Sequence, residues 1–373
     1  MSRPTSSRIF LIRFAVILLL TFVFANIAGA QPEQPDLTID AATRTKVIDT
    51  ILKRLNDSYV FPEMAKKMEQ SIRERVDKKE YDQITSAKEF ATRLTTDLQA
   101  VSKDKHLRVR YSHEAIPERG ERREPTAEEK EQRKRDLNWM NHGFTKVERM
   151  PGNIGYLEFT NFMDEELGAD TVAAAMNFIN GTEALIIDMR RNGGGNPAMV
   201  ALVCSYLFGS EPVHLNDLYW REGNKTEEFW TKKDISGKRY LNKDVYVLTS
   251  KRTFSGAEEF TYNLKNLKRA TIIGETTGGG AHPGGGFRLN EHFGMFVPTG
   301  RAISPITKTN WEGTGVTPDI AVPADQALLV ARVMALKKLL TTPVNPDLRA
   351  NVEEEIKKLE KELDAMKSMQ SKS

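Results

Sequence analysis

Three segments of unusual composition carry side chains or backbone able to do covalent chemistry. Thr253-Phe254-Ser255-Gly256-Ala257-Glu258-Glu259 follows an apolar, strand-like run and opens a helix-like one. A serine at that junction sits beside free helix N–H groups and the positive end of the helix dipole. Gly256 leaves steric room for a substrate carbonyl, so attack by Ser255 Oγ on a carbonyl carbon is chemically reasonable. The commoner role of such a serine is to cap the helix. The second segment, Asp188 to Asn196, contains Gly193-Gly194-Gly195 after a buried strand-like run. Consecutive glycines let backbone N–H groups face a ligand, which suits an oxyanion; a phosphate loop would want a Lys-Ser/Thr pair that Asn196-Pro197 does not supply. The third, Gly274 to Gly286, is glycine-rich and holds His282.

A nucleophilic serine needs a base, and the base an orienting group. The histidines are His106, His113, His142, His214, His282 and His292, and no pair has the spacing of a metal-binding helix. His106, in Ser102-Lys103-Asp104-Lys105-His106-Leu107, and His282 are the candidate bases, and spacing alone does not choose between them. Glu312 lies in a further loop, Asn310 to Asp319. Cys204, the one cysteine, excludes an internal disulfide and a cysteine zinc site and reads as core. No metal or other cofactor is expected.

The elements that must position these groups are legible from periodicity. Val47, Ile48, Ile51, Leu52 and Leu55 recur at helical spacing; Pro62 starts a second helix with Met64, Met68, Ile72 and Val76 four apart. Ser86 with Glu89 is a capping-box signal before Phe90, Leu94 and Leu98. Residues 38–113 therefore read as an N-terminal three-helix domain. Residues 114–150 read as a charged linker, partly helical, and a lead-in. In 151–323 strands at Ile154–Phe159, Ala184–Met189, Val245–Thr249 and Ala270–Ile273 alternate with helices at Ala169–Ile179, Pro197–Phe208 and Gly256–Leu267, which predicts a layered α/β core with parallel pairs. Residues 324–373 read as C-terminal helices. Their stripe of Val352, Ile356, Leu359, Leu363 and Met366 would dock on the body or pair with a second copy in a homo-oligomer.

Residues 1–30 carry Arg3, Arg8 and Arg13, an apolar run from Phe14 to Phe24, and an Ala28-Gly29-Ala30 end. This is the pattern of a secretory signal peptide, so export to the periplasm or the medium is expected, without membrane attachment after cleavage. The formal charge of +3 resides in those arginines; without them basic residues equal the 51 acidic ones. A field for nucleic acid is therefore not expected.

Taken together, the motifs resemble the tail-specific, or carboxyl-terminal processing, serine peptidases. The resemblance rests on the Asp188-x-Arg-x-Asn-Gly-Gly loop, Thr253 to Phe260, Gly274-Glu-Thr-x-Gly-Gly and Gly313-x-Gly-Val-x-Pro-Asp-Ile320, in order. Tyr59-Val-Phe-Pro-Glu63 and Asp104-Lys-His-Leu107 are similar to the branch with the tricorn core and interphotoreceptor retinoid-binding protein modules. The resemblance implies a ClpP/crotonase-like core and an exported peptidase acting on peptides or unfolded protein. It implies Ser255 as nucleophile and the Gly193, Gly194 and Gly256 amides as oxyanion hole. His106 would be the base and Glu312 its partner, with His282 the alternative base. Where processing peptidases carry a lysine, this chain has Gly278-Gly279-Gly280, so a Ser-Lys dyad is ruled out at that position. Where the tricorn pattern has a small residue before the histidine, this chain has Lys105. The stretch between Arg110 and Gly152 is too short for a PDZ domain. The retinoid-binding modules imply the alternative: a non-catalytic binder of apolar ligands, retinoid or fatty acid, on the same fold.

Overall fold

The computed structural model describes residues 34–118, 125–343 and 345–370. The segment expected to be a signal peptide lies outside them. Three helices come first: α1 (Ala41–Ser58), α2 (Pro62–Asp77) and α3 (Ala87–Ser102). Asp40 and Ser86 cap α1 and α3 by accepting from the Thr43 and Glu89 N–H groups, and Pro62 stands in the first turn of α2. The α1 stripe is buried as its spacing predicts. In α2, Met68 and Ile72 are buried but Val76 is 42% exposed. A row of residues four apart advances about 40° per step around a helix, so its far end leaves the core face. Strand β1 (Arg108–Tyr111) follows. The charged segment then forms helix α4 (Ala127–Trp139), opened by a capping box between Thr126 and Glu129.

The alternating region supplies β2 (Phe144–Met150), β3 (Ile154–Phe159), α5 (Glu165–Ile179), β4 (Ala184–Asp188), α6 (Pro197–Ser205), β5 (His214–Trp220), β6 (Lys225–Trp230), β7 (Asp244–Thr249), α7 (Gly256–Asn266) and β8 (Thr271–Gly274). It is followed by β9 (Gly284–Arg288), β10 (Phe293–Pro298), β11 (Gly300–Ile303), β12 (Ile320–Ala321), α8 (Ala327–Leu339) and α9 (Pro346–Gln370). The strands and helices expected between Ile154 and Ile273 are present within one to four residues at their ends. Strands β5, β6, β9 and β11 have no apolar run in the sequence to announce them; β10 has one, Met295-Phe296-Val297, and is not among the expected strands.

The chain is a mixed α/β protein. A six-stranded sheet has the order β12-β8-β7-β4-β3-β2, parallel apart from the β2–β3 pair. Leu185, Ile187, Val245 and Val247 face α5, α6 and α7; their neighbours Ala184, Ile186, Tyr246 and Leu248 face α8 and α9. Strands covered on both faces must be apolar throughout, as Ala184 to Ile187 is. The stripe of α9 is consumed within the chain: Val352, Ile356, Leu359 and Leu363 are buried against α8 and this sheet face. Of the two expectations for that stripe, docking on the body is the one observed. Smaller antiparallel sheets, β1-β10-β9 and β11-β5-β6, complete the architecture. The core of α1 to α3 includes Leu289, Phe293, Met295 and Val297 from the β9–β10 hairpin, so the helical unit is closed by strands contributed from the body.

Candidate active site

Strands β4 and β7 are parallel neighbours, so the loops leaving their C-terminal ends emerge side by side. The loop after β4 is the glycine run and the loop after β7 delivers Ser255. They are bound together: Phe254 N–H donates to the Asn192 carbonyl at 3.2 Å. A methyl group on Gly194 would lie 2.5 Å from Gly256 N and 2.8 Å from Ser255 Cβ, which only glycine avoids. Ser255 has φ 54° and ψ −122°, a costly conformation for a residue with a Cβ. Its backbone N–H donates to Glu258 Oε2 at 2.9 Å, and the Glu258 N–H donates to the Ser255 carbonyl at 2.8 Å.

Glu258 is fully buried and organises the surrounding loops. Besides Ser255, it accepts from Thr277 Oγ1 (2.5 Å), Gly279 N–H (2.6 Å) and Gly280 N–H (2.8 Å). Burial raises its pKa, and these hydrogen bonds oppose the rise. Sequence reading assigned Glu258 no role, although Ser255-Gly-Ala-Glu258 has the Ser-x-x-Glu form that signals reciprocal capping.

His106 arrives from the corner between α3 and β1. Lys103 ends α3 with φ 60°, and Asp104 Oδ1 accepts the His106 N–H at 3.0 Å. Pairing of β1 with β10 holds that corner over the body, and Lys105 Nζ donates to the Gly278 carbonyl at 2.6 Å. The His106 ring packs 4.6 Å from that of Phe254 and 5.9 Å from that of Phe296. His106 and Ser255 line one cavity of about 560 Å³ together with Gly193, Gly195 and Gly256. His106 Nδ1 is buried without a hydrogen bond. Burial, with His282 and Arg108 adding to it against the pull of Asp104, lowers the His106 pKa to about 4, so the ring is neutral near pH 7.

The loop carrying Glu312 is fastened to the third glycine segment. Trp311 Nε1 donates to the Gly280 carbonyl at 2.7 Å, Gly313 N–H to that of Gly279 at 3.1 Å, and Ala281 N–H to Glu312 Oε2. Glu312 Oε1 is buried and has no hydrogen bond. Burial raises the Glu312 pKa to about 7, opposed by His282 and reinforced by Asp104. One donor atom each of Asp104, His106 and Glu312 lie within 4.8 Å of one another. These are the residues that could converge on a cation. Asp104 already accepts from the His106 N–H and, on Oδ2, from Tyr59 (3.1 Å) and His282 Nδ1 (2.8 Å), which suits a hydrogen-bonded network better than a metal centre.

His282 is not on the cavity. It is buried behind it, bonded to Asp104 and 3.5 Å from Glu312 Oε2. The expected oxyanion donors divide. Gly193 N–H is bonded to the Thr160 carbonyl at 3.0 Å and Gly194 N–H to Asn192 Oδ1 at 2.8 Å, so neither is available. The loop needs those bonds to hold its turn. The amides of Gly195, which sequence reading passed over, and Gly256 have no such bond among the described residues; a Cβ on Gly256 would lie 2.9 Å from Gly195 N. Cys204 is fully buried and its pKa is raised by burial, as a core thiol's is.

The model of peptidase family S41 matches residues 153–322, and that of the N-terminal domain of this peptidase in eukaryotic IRBP matches residues 39–138. The chain is 28% identical over 177 residues to the carboxyl-terminal-processing peptidase 2, chloroplastic, of Arabidopsis thaliana, a match covering 46% of this chain and 32% of that protein. It thus spans about a third of the length of the curated relative it matches. A candidate peptidase of Parabacteroides merdae superposes with a TM-score of 0.57 at 17% identity, over 81% of this chain and 99% of the other. A lipoprotein of Streptococcus agalactiae gives 0.53 at 16% identity, over 79% and 96%. At these identities the structural likeness is one of fold.

Proposed function

The chain belongs to peptidase family S41, and from that premise we propose that it hydrolyses peptide bonds in peptides or unfolded protein, with Ser255 as nucleophile. Ser255 Oγ attacks the carbonyl carbon while His106 takes the hydroxyl proton. The tetrahedral oxyanion is held by the Gly195 and Gly256 amides. His106 then protonates the leaving amine, and the acyl-enzyme is hydrolysed by water with His106 acting as base again. Glu312 accepts the His106 Nδ1–H and stabilises the imidazolium as charge develops. Each oxyanion donor in such a site contributes about 3 kcal/mol to the transition state.

The observation that carries this reading is the convergence, on one cavity, of a serine in an unfavourable backbone conformation, a neutral histidine and two unbonded amides. The buried and unpartnered His106 Nδ1 and Glu312 Oε1 support it, since each is the atom the other lacks. Gly279 also supports a base other than lysine: with φ +80° its Cβ would meet the Gly313 and Gly315 backbone at about 3.0–3.1 Å, so a side chain there is strained. The same reading takes the body as ClpP/crotonase-like and the protein as exported to the periplasm or the medium. No helix among the described residues is long and apolar enough to cross a membrane.

The test compares wild type with Ser255→Ala on a denatured-protein digest followed by mass spectrometry. Cleavage that disappears in the variant, and a wild-type serine labelled by a fluorophosphonate, are expected. Equal turnover by the two proteins would refute the assignment.

A further inference from the structure

Glu259 is a second carboxylate next to the site, and neither the capping of α7 nor the proposed proton relay uses it. It stands one turn into α7 from Ser255, lines the cavity, and is only 4% exposed. Its Oε1 is buried with no hydrogen bond among the described residues. The buried amide of Asn216 on β5 approaches without completing one. An unsatisfied buried carboxyl oxygen carries a cost that a protein keeps only where a partner supplies the missing donor.

The surroundings indicate what that partner is. One apolar wall of the cavity is a single cluster: Leu218, Ala281, Ala302 and Trp311, with Trp220 and Phe229 packed against it. Among the described residues, the acidic side chains on the lining are Glu227 and Glu259, and no Lys or Arg lines it. His106, the remaining titratable group there, is neutral near pH 7. Aromatic faces favour a cation and the methylene stem leading to it.

Resting on the peptidase reading, we propose that this part of the cavity is the pocket for the residue whose carbonyl Ser255 attacks, and that Glu259 selects arginine or lysine there. The stem lies along Trp220, Phe229 and Leu218, and the guanidinium or ammonium donates to Glu259. Burial, opposed by the Asn216 amide, holds the Glu259 pKa up at about 8; an arriving cation favours the carboxylate, so binding releases a proton near neutral pH.

Two measurements on the full chain test this. In the first, a peptide library is digested and cleaved bonds are read by mass spectrometry, followed by kcat/KM on peptides differing only in that residue: arginine, lysine, norleucine or glutamate. Arginine and lysine are expected to exceed norleucine at least tenfold, and Glu259→Gln to reduce that ratio at least tenfold. In the second, p-aminobenzamidine binding is followed by fluorescence, which needs no turnover. Binding to wild type and at least tenfold weakening in Glu259→Gln are expected. Ser255-dependent cleavage with no basic preference in wild type overturns this proposal and leaves the peptidase reading standing; it does not depend on the variant folding. No Ser255-dependent cleavage of any peptide overturns the peptidase reading; saturable benzamidine binding lost in Glu259→Gln would then still support a cation pocket, and its absence would remove it.

Discussion

Ser255 and Glu258 hold each other in place: the Ser255 N–H donates to Glu258 Oε2 at 2.9 Å, and the Glu258 N–H donates back to the Ser255 carbonyl at 2.8 Å. The same carboxylate takes the N–H groups of Gly279 and Gly280, so one buried side chain couples the proposed nucleophile to the loop beneath His106. Neither replacement of Glu258 preserves this. Glutamine would turn an NH2 group towards N–H donors, and alanine would leave all of them unsatisfied. Both variants are expected to lower kcat/KM at least about 100-fold, the order of a lost positioning group. Peptide kinetics with circular dichroism checks it. A folded Glu258→Ala enzyme at full activity would refute the positioning role.

Gly280 sets the height of the His106 ring. A Cβ there would stand 2.7 Å from His106 Cε1 and 2.3 Å and 2.5 Å from ring atoms of Phe254. Gly280→Ala should therefore displace the proposed base and reduce kcat at least tenfold. Gly286, where a Cβ meets nothing within 4 Å, is the control, and Gly286→Ala should leave kcat unchanged. Equal effects of the two substitutions would show that His106 does not act at the observed position.

The pH profile separates Glu312 from His106. Burial holds the Glu312 carboxyl at about 7, so it is neutral below and ionised above. Only the ionised form stabilises an imidazolium. Its neighbours His282 and Asp104 act on it in opposite directions. The His106 pKa, about 4, lies well below. Wild-type kcat/KM is expected to climb with pH through about 7. Glu312→Gln should lower the plateau by roughly 100-fold and remove that limb. A variant that keeps the limb would assign it to another group.

Glu259 makes a separate prediction for stability. Its pKa is about 8 in the folded protein against an ordinary carboxyl value of 4.5. Between those values the folded state holds a proton that the unfolded chain releases, so stability falls as pH rises across that window. The loss for a fully buried group is on the order of a few kcal/mol. Thermal unfolding from pH 5 to pH 8.5 should show a steeper decline in Tm for wild type than for Glu259→Gln. Parallel curves would contradict the burial argument.

Much of the scaffold was legible because its signals are local. The cap at Ser86 and the run Ala184 to Ile187 each follow from side-chain chemistry within a few residues. Strands β5, β6, β9, β10 and β11 were not legible. The residues of β5, β6, β9 and β11 mix glycine, charged or aromatic side chains, and the apolar run of β10 is short; all become strands because partners such as Phe296 opposite Gly286 complete their hydrogen bonds. The Ser255 segment was visible for a related reason: a short polar loop between a strand and a helix is a local pattern.

The sequence by itself determined the types of group at hand: a serine at a strand–helix junction, two candidate histidines, a loop glutamate, glycine runs and no disulfide. It could not choose between His106 and His282, since His106 is placed by the pairing of β1 with β10 across the chain and His282 by the bond of its loop to Asp104, both long-range contacts. Only the tertiary structure decided that His106 faces the cavity while His282 sits behind, bonded to Asp104. It also decided which glycine amides are free, because Gly193 and Gly194 are bonded to Thr160 and Asn192, a fact of loop geometry rather than of composition. Burial did the rest. The same glutamate side chain is an ordinary acid on the surface and a proton-holding group at position 259 or 312, and burial is a property of the whole fold.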